Sequence, residues 1–488
     1  MSGNVLSTPE KAFLIDFMDR NAQGIATLSD ALFYFGELGM QEFRSAELMC
    51  SLLEEHGFAV ERNLSGFPTG FLACYGEGAP VVGIHTEYDA NPANSQASGL
   101  ADKVEIVEGA PGHCEGHNAN AAVMVAAAIG LRHAMEKFGL KGTIKIIGAP
   151  SEETLISRPY FVRDGVFDDI DVVFHDHVWD DLRADYGHIQ YAAISADFTF
   201  HGESAHAALF PFRARDALDA VTLMDMGMAQ YREHFEPQMS AQRTITNGGK
   251  QPNVIPDLAS VWWYFRHPHA DGTRRLFEQA KRIAQGAAMM TNTEVEVNIR
   301  SAVWPVMLNR TASEVAQRNA QAVGMPVWTA DEDALAKTLQ VKAGKEPVGL
   351  LKAAGKVTGP AKIIAASNDS GDVSCKVPMA RIWFPSNVPN LGFHHWTAGA
   401  ALATSIAHKG AIAGAKVLGA SVIDYLTDDG DLMERTRESF AAELSGIEYE
   451  PLLPKDQQPP LDLNRAEMEK YRAQMEAHYV AERPKFVA

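Results

Sequence analysis

At 488 residues the chain is too long for one ordinary core, so two or three folding units are expected. Its 46% hydrophobic and 22% charged residues are those of a folded globular chain. A net charge of −19 argues against nucleic acid or an anionic membrane as partner, because both demand a cationic face, and reads as solubility. Cys50, Cys74, Cys114 and Cys375 are scattered without a CxxC pair, which suits neither a disulfide framework nor a zinc ribbon. The N-terminal stretch 1–21 is polar and unlike a secretory signal, and no apolar run is read as long enough to span a bilayer. The expected address is the cytoplasm.

In chain order, residues 11–38 and 45–55 read as amphipathic helices. A strand–loop–helix pattern then repeats. Strand 81–84 leads into a polar loop at 85–89, and an alanine-rich, buried helix covers 119–135. Strand 143–147 runs into Pro150-Ser151-Glu152-Glu153, and strand 171–174 into His175-Asp176-His177. This alternation predicts a mostly parallel α/β sheet, with ligands beyond the carboxyl ends of its strands, where each polar cluster falls. From residue 194 the order changes to strand 194–200, helix 216–235, strands 241–246 and 259–267, helix 274–290 and strand 294–299. That is the β-α-β-β-α-β order of a ferredoxin-like α+β unit, inserted into the α/β domain. Strand 381–384 then leads toward Gly392-Phe393-His394-His395-Trp396, and helix 403–426 follows. The stretch 331–362 reads as helix-prone surface, and the tail as Pro-rich from 449, then helical over 465–482 and packed across a neighbour. The expected division is 1–193 and 308–488 for the two parts of the α/β domain, with 194–307 inserted.

Three clusters carry chemistry. Gly112-His113-Cys114-Glu115-Gly116-His117-Asn118 packs imidazoles, a thiol and a carboxylate into a tight loop before a buried helix, which can offer side chains to a metal; alone it could equally be a helix-capping loop with incidental histidines. Glu152-Glu153 sits at a strand end, where adjacent carboxylates repel unless a cation or proton intervenes. One can bind a metal while the other takes a proton from the attacking water, although paired glutamates are also common on solvated faces. His177 and His394 follow further strands. Isolated histidines are more often satisfied polar residues than ligands, but several at equivalent topological positions are poorly explained by chance.

These residues, with segments 36–42, 87–90, 202–208, 215–221, 249–257, 367–374 and 405–410, resemble the metal-dependent amidohydrolase and carboxypeptidase family M20, within it the aminobenzoyl-glutamate utilisation branch. The resemblance implies a catalytic α/β domain with two divalent ions, Zn²⁺ or Mn²⁺, and an inserted lid that also forms a homodimer. By position it makes Glu152 the general base, Glu115, His117, Glu153, His177 and His394 the metal ligands, and Asp89 the carboxylate that orients a ligand imidazole. It makes His206 the lid residue that steadies the oxyanion in the other protomer's site, and Asn253 and Arg266 the lid residues that hold substrate. One departure stands out. The branch carries cysteine as the shared ligand where this chain has Glu115, with Cys114 one place earlier. A carboxylate can bridge two ions, and Glu115 is taken over Cys114. Alignment on Tyr88-Asp89-Ala90 places Glu87 in the first ligand slot of other branches, and His85 is read as structural.

The implied function is two-metal hydrolysis of an amide in an N-aroyl or N-acyl amino acid similar to p-aminobenzoyl-glutamate. A divergent amidase for another aromatic amide or a dipeptide is the alternative within the class. A metal-free binding or regulatory homologue is the alternative outside it, and a second, homologous chain is a possible partner.

Overall fold

The computed structural model describes residues 5–357 and 359–488; the first four residues of the polar N-terminal stretch and Thr358 within 331–362 lie outside the described residues. The helices α1 (Pro9–Arg20), α2 (Ala22–Phe35) and α3 (Phe43–Glu55) open the chain. The single helix expected over 11–38 is broken at Asn21, whose amide bonds Phe17 O (2.9 Å) and Val487 O (2.9 Å) and whose Oδ1 accepts from Val487 N (2.7 Å). The break is made by the far end of the chain, so no local periodicity announces it.

The main sheet holds β1 (Ala59–Arg62), β2 (Phe71–Glu77), β3 (Val81–Thr86), β4 (Gly142–Gly148), β5 (Val172–Trp179) and, much later, a strand at Met379–Pro385, in the order β1-β2-β4-β3-β5 and then that strand. Its four central and late strands are parallel, while β1 and β2, which are not among the expected strands, run antiparallel at one edge. β5 is buried through seven of its eight residues, because the sheet is covered on both faces. It therefore continues past the expected end, and His175, Asp176 and His177 are strand residues rather than a following loop; His85 and Thr86 likewise close β3. The alanine-rich helix α4 (His117–Phe138) lies buried against the sheet.

A short strand β6 (Gly187–Gln190) precedes the second unit, which runs β7 (Ala192–His201), α5 (Ala217–Tyr231), β8 (Ser240–Asn247), β9 (Leu258–His267), α6 (Ala270–Thr291) and β10 (Glu294–Val303). Its sheet order, β10-β7-β9-β8, is wholly antiparallel, with α5 and α6 on one face. β11 (Val306–Leu308) then pairs with β6 as the chain returns, and β12 (Met379–Pro385) completes the main sheet beside β5.

Three expectations need correction. Helix α7 (Ser405–Leu426) is long and apolar enough, by length and composition, to cross a membrane, although no such run is apparent at first reading; it packs against α4, α1 and β12 in the core. Among the described residues of 331–362 the one helix is Ala330–Lys342, which begins a residue before the stretch, and Ala336, Leu339 and Leu350 are buried rather than superficial. The tail helix Arg465–Met475 packs on its own chain: Met468, Tyr471 and Met475 cover Leu38, Val107 and Ala110, and Arg472 pairs with the buried Glu37 at 2.6 Å.

Candidate metal centre

The carboxyl ends of β3, β4 and β5 and the start of α4 converge on one buried group of donors. After β4, Ser151 (φ 64°) and Leu155 (φ 60°) take left-handed backbone, which folds the chain into a tight turn and turns Glu152 and Glu153 inward. Glu42 Oε1 secures the turn by accepting from Ser151 N at 2.8 Å. At the head of α4, Gly116 has φ 133°, and a Cβ there would lie 2.8 Å from Val178 side-chain atoms, so the loop bearing Glu115 and His117 requires glycine. His394 also sits in the left-handed region, at φ 65°, in a loop whose backbone bonds Cys114 O at 3.2 Å.

Glu115 is central. Its Oε2 lies 2.9 Å from His394 Nε2 and its Oε1 3.4 Å from His177 Nε2; Glu153 Oε2 is 3.1 Å from the same His394 nitrogen. His117 faces Glu152 Oε2 at 3.8 Å. Asp89 stands behind them, with Oδ1 3.2 Å from His117 Nδ1 and Oδ2 accepting from Glu153 N at 3.0 Å. All five expected ligands, the expected base and Asp89 are thus within one cluster. Cys114 is directed elsewhere: its buried thiol donates to Asn91 Oδ1 at 3.0 Å, and burial pushes its pKa up.

The donor set fits divalent cations. His117 Nδ1 is tied to Asp89 and His177 Nδ1 to Val178 O (2.9 Å), so each imidazole presents Nε2 to the cluster. His117 Nε2 and Glu153 Oε1 are buried without a hydrogen-bond partner, which is costly unless a ligand satisfies them. Two donor triplets lie close enough to hold an ion, Glu115–His117–Glu153 and Glu87–His117–His177. Burial raises the pKa values of Glu152 and Glu153, and hydrogen bonds to Glu115 and Glu153 raise His394 to about 10. The site therefore demands positive charge. Oxygen and imidazole donors suit hard or borderline divalent ions better than soft ones.

Glu87 is the residue that sequence reasoning left outside the site. It lies 3.5 Å from His177 Nε2 and is fully buried, flanked by His175 Nε2 (2.9 Å) and the Arg158 guanidinium. Arg158 also pairs with Asp369 and donates to His85 Nδ1 at 2.9 Å. The alignment on Tyr88-Asp89-Ala90 was the available signal for Glu87, and the place of Asp369 in the 367–374 segment of the resemblance was the signal for it; for Arg158 there was none.

A cavity of about 550 Å³ opens above the donors, between the main sheet and the ferredoxin-like unit. Trp179, Trp383 and Phe393 form an aromatic wall, with Trp179 5.2 Å from each of the other two ring centroids. From β9, Arg266 enters the same cavity with Nη1 on Gln242 Oε1 (2.6 Å) and a buried, unpartnered Nε. His206 and Asn253 do not line this cavity; both are exposed on the inserted unit.

Clustered acids and imidazoles at strand ends, facing a cavity, are the arrangement of a metal-dependent hydrolase. Comparison with known proteins agrees. The peptidase dimerisation domain of the M20 family matches residues 190–289. The chain is 33% identical over 452 residues to one of the two kinds of chain of the p-aminobenzoyl-glutamate hydrolase of Escherichia coli (strain K12), covering 87% of this chain and 94% of that protein. Xaa-Arg dipeptidase of Mus musculus is 29% identical over 64% of this chain and 72% of its own length. Among solved structures, the aminobenzoyl-glutamate utilization protein from Klebsiella pneumoniae superposes with a TM-score of 0.57 at 17% identity, covering 84% of this chain and 98% of its own. The Bacillus subtilis YXEP protein, a dinuclear metal-binding peptidase, gives 0.54 at 19%, covering 84% and 100%. The chain belongs to the M20 peptidase family and is a metal-dependent hydrolase of the amidohydrolase kind.

Proposed function

We propose that this protein hydrolyses the amide bond of an N-aroyl or N-acyl amino acid, with Glu152 as general base. The observation that carries the reading is the place of Glu152, lining the cavity beside Glu153 and His117 and not tied into the Glu115–His394 contact. Glu115, His117, Glu153, His177 and His394 would hold the divalent ions, Zn²⁺ or Mn²⁺. The ions, when bound, polarise the carbonyl and acidify the attacking water. Glu152 takes that water's proton and returns it to the leaving nitrogen. Asp89 keeps His117 in register. The aromatic wall of Trp179, Trp383 and Phe393 suits an aryl acyl group, and Arg266 suits the carboxylate of the amino acid. The relative at 33% identity is named for p-aminobenzoyl-glutamate, which makes that compound the first to try.

We assign the chain to a cytoplasmic homodimer joined through the inserted unit, in which His206 of the partner subunit steadies the oxyanion. A second, homologous chain is an alternative partner, since the relatives of this chain include both named chains of the Escherichia coli p-aminobenzoyl-glutamate hydrolase. The test is Glu152→Gln in protein loaded with Zn²⁺ or Mn²⁺ and assayed on a panel of N-aroyl and N-acyl amino acids and dipeptides. Turnover should fall by roughly 10²- to 10⁴-fold while bound metal stays unchanged. Near-wild-type turnover would sink the assignment of the base.

A further inference from the structure

We propose that Asn368 is a positioning residue for Glu152: it holds one carboxylate oxygen so that the other is left to take the proton. The proposal rests on Glu152 being the general base, and it adds a residue from a loop more than two hundred positions away. Asn368 Nδ2 donates to Glu152 Oε1 at 2.6 Å, and both side chains are buried on the wall of the reaction cavity.

The orientation of the amide follows from what lies behind it. Arg381, fully buried on β12, donates through Nη2 to Ser370 Oγ at 2.8 Å. That hydroxyl has one hydrogen, which it directs to Asn368 Oδ1 at 2.5 Å, and Ser370 N donates to the same oxygen at 3.0 Å. With Oδ1 accepting twice, only the amide nitrogen can face Glu152. Arg381 is itself fixed by His175 Nδ1 (2.9 Å) and Gln190 Oε1 (2.6 Å). The chain Arg381–Ser370–Asn368–Glu152 therefore donates in one direction, from a buried cation to the carboxylate. An amide N–H cannot receive the proton that Glu152 takes, so it cannot drain the base; it can only orient it. Glu152 Oε2, the oxygen facing His117 at 3.8 Å, is the one left for chemistry.

A residue that merely anchored the 367–374 loop would influence folding and substrate affinity together. A positioning residue has a different signature. In Asn368→Ala, kcat should fall by about 10- to 100-fold, the range for a lost hydrogen bond to a charged group, with KM and bound metal within about twofold of wild type. A crystal structure of the variant should show the Glu152 carboxylate released from its single orientation. Asn368→Asp, nearly isosteric and able to keep the Ser370 bonds, serves if the alanine variant folds poorly; it should lose at least as much kcat, since it sets an acid against an acid. Ser370→Ala should cost less, because the Ser370 N–H still holds Asn368 Oδ1. Unchanged kcat with an unmoved Glu152, or a loss matched by lost metal or raised KM, would overturn the proposal. Should no amide in the panel be cleaved, the orientation of Glu152 in the variant decides the matter alone. The two readings fail separately: an active Glu152→Gln removes the base, whereas an inactive Glu152→Gln beside unimpaired Asn368 variants removes only the positioning role.

Discussion

The two large sheets of this chain treat charge in opposite ways. In the main sheet, β5 and β12 are covered on both faces, and the polar and ionisable groups on and beside its strands are fully enclosed: His85, Glu87, His175, Arg158 and Arg381 have no exposed surface. In the inserted unit, β9 alternates buried and half-exposed residues, and most of the ion pairs lie at the surface, as in Arg243–Asp225 and Arg275–Glu236, with Arg300–Asp197 the more sheltered exception. Buried charge is tolerable only when every partner is present, and losing one leaves the rest uncompensated. Surface charge is screened and replaceable. The main sheet thus gains a rigid, pre-oriented site and becomes intolerant of change. The inserted unit stays tolerant of change.

Arg158→Met is the severest way to probe this contrast. It strands Glu87 and Asp369 in the core, and stability in chemical denaturation should fall by about 3–5 kcal/mol. A loss under about 1 kcal/mol would mean that water reaches the network and that the two sheets do not differ as described. Next comes the traffic between the two units. His206→Ala should cost about 10²- to 10³-fold in kcat, the scale of a missing oxyanion donor. Mixing that variant with Glu152→Gln should restore activity, because one site in each mixed dimer then has both Glu152 and His206 of the partner subunit. A mixture as inactive as its parents would confine His206 to its own protomer or to no catalytic role.

The metal loop sharpens the comparison within the main sheet. Glu115→Ala should weaken metal binding by more than about a hundredfold in calorimetric titration, beyond the roughly ten- to hundredfold of a lost outer partner, whereas Cys114→Ala should bind as wild type. The reverse ranking would make the thiol the ligand. At the small end, Arg243→Ala on the inserted unit should cost only about 0.2–1 kcal/mol, since its pair with Asp225 is exposed. A loss as large as that of Arg158→Met would remove the distinction between the sheets.

Much of the site was legible because short motifs mark it. The loop 112–118 and the pair Glu152-Glu153 stand out by composition, and His177 and His394 by their place after apolar strands. The alternation of 194–299 was enough to show a ferredoxin-like order, since a sheet with one exposed face writes its period into the chain. Continuous burial hides that period, so the sequence pattern ends β5 too early and puts His177 in a loop. β1, at the edge, has only Ala59 and Val60 as apolar residues and offers too little pattern to be seen, whereas β2 opens on an apolar run, Phe71 to Tyr75, that was a readable signal.

The residue types and their order therefore determined the chemistry on offer: carboxylates and imidazoles at strand ends, a glycine where a Cβ would strike Val178, a glutamate in place of a shared cysteine. Only the tertiary structure decided how they are used. It turned Cys114 toward Asn91 and Glu115 toward His394, drew Glu87 in beside His177, and set Asn368 against Glu152 across more than two hundred residues. Local sequence specifies which groups a segment can present. Which groups are left without water, and must therefore find one another, is settled when separate segments close over the same buried space.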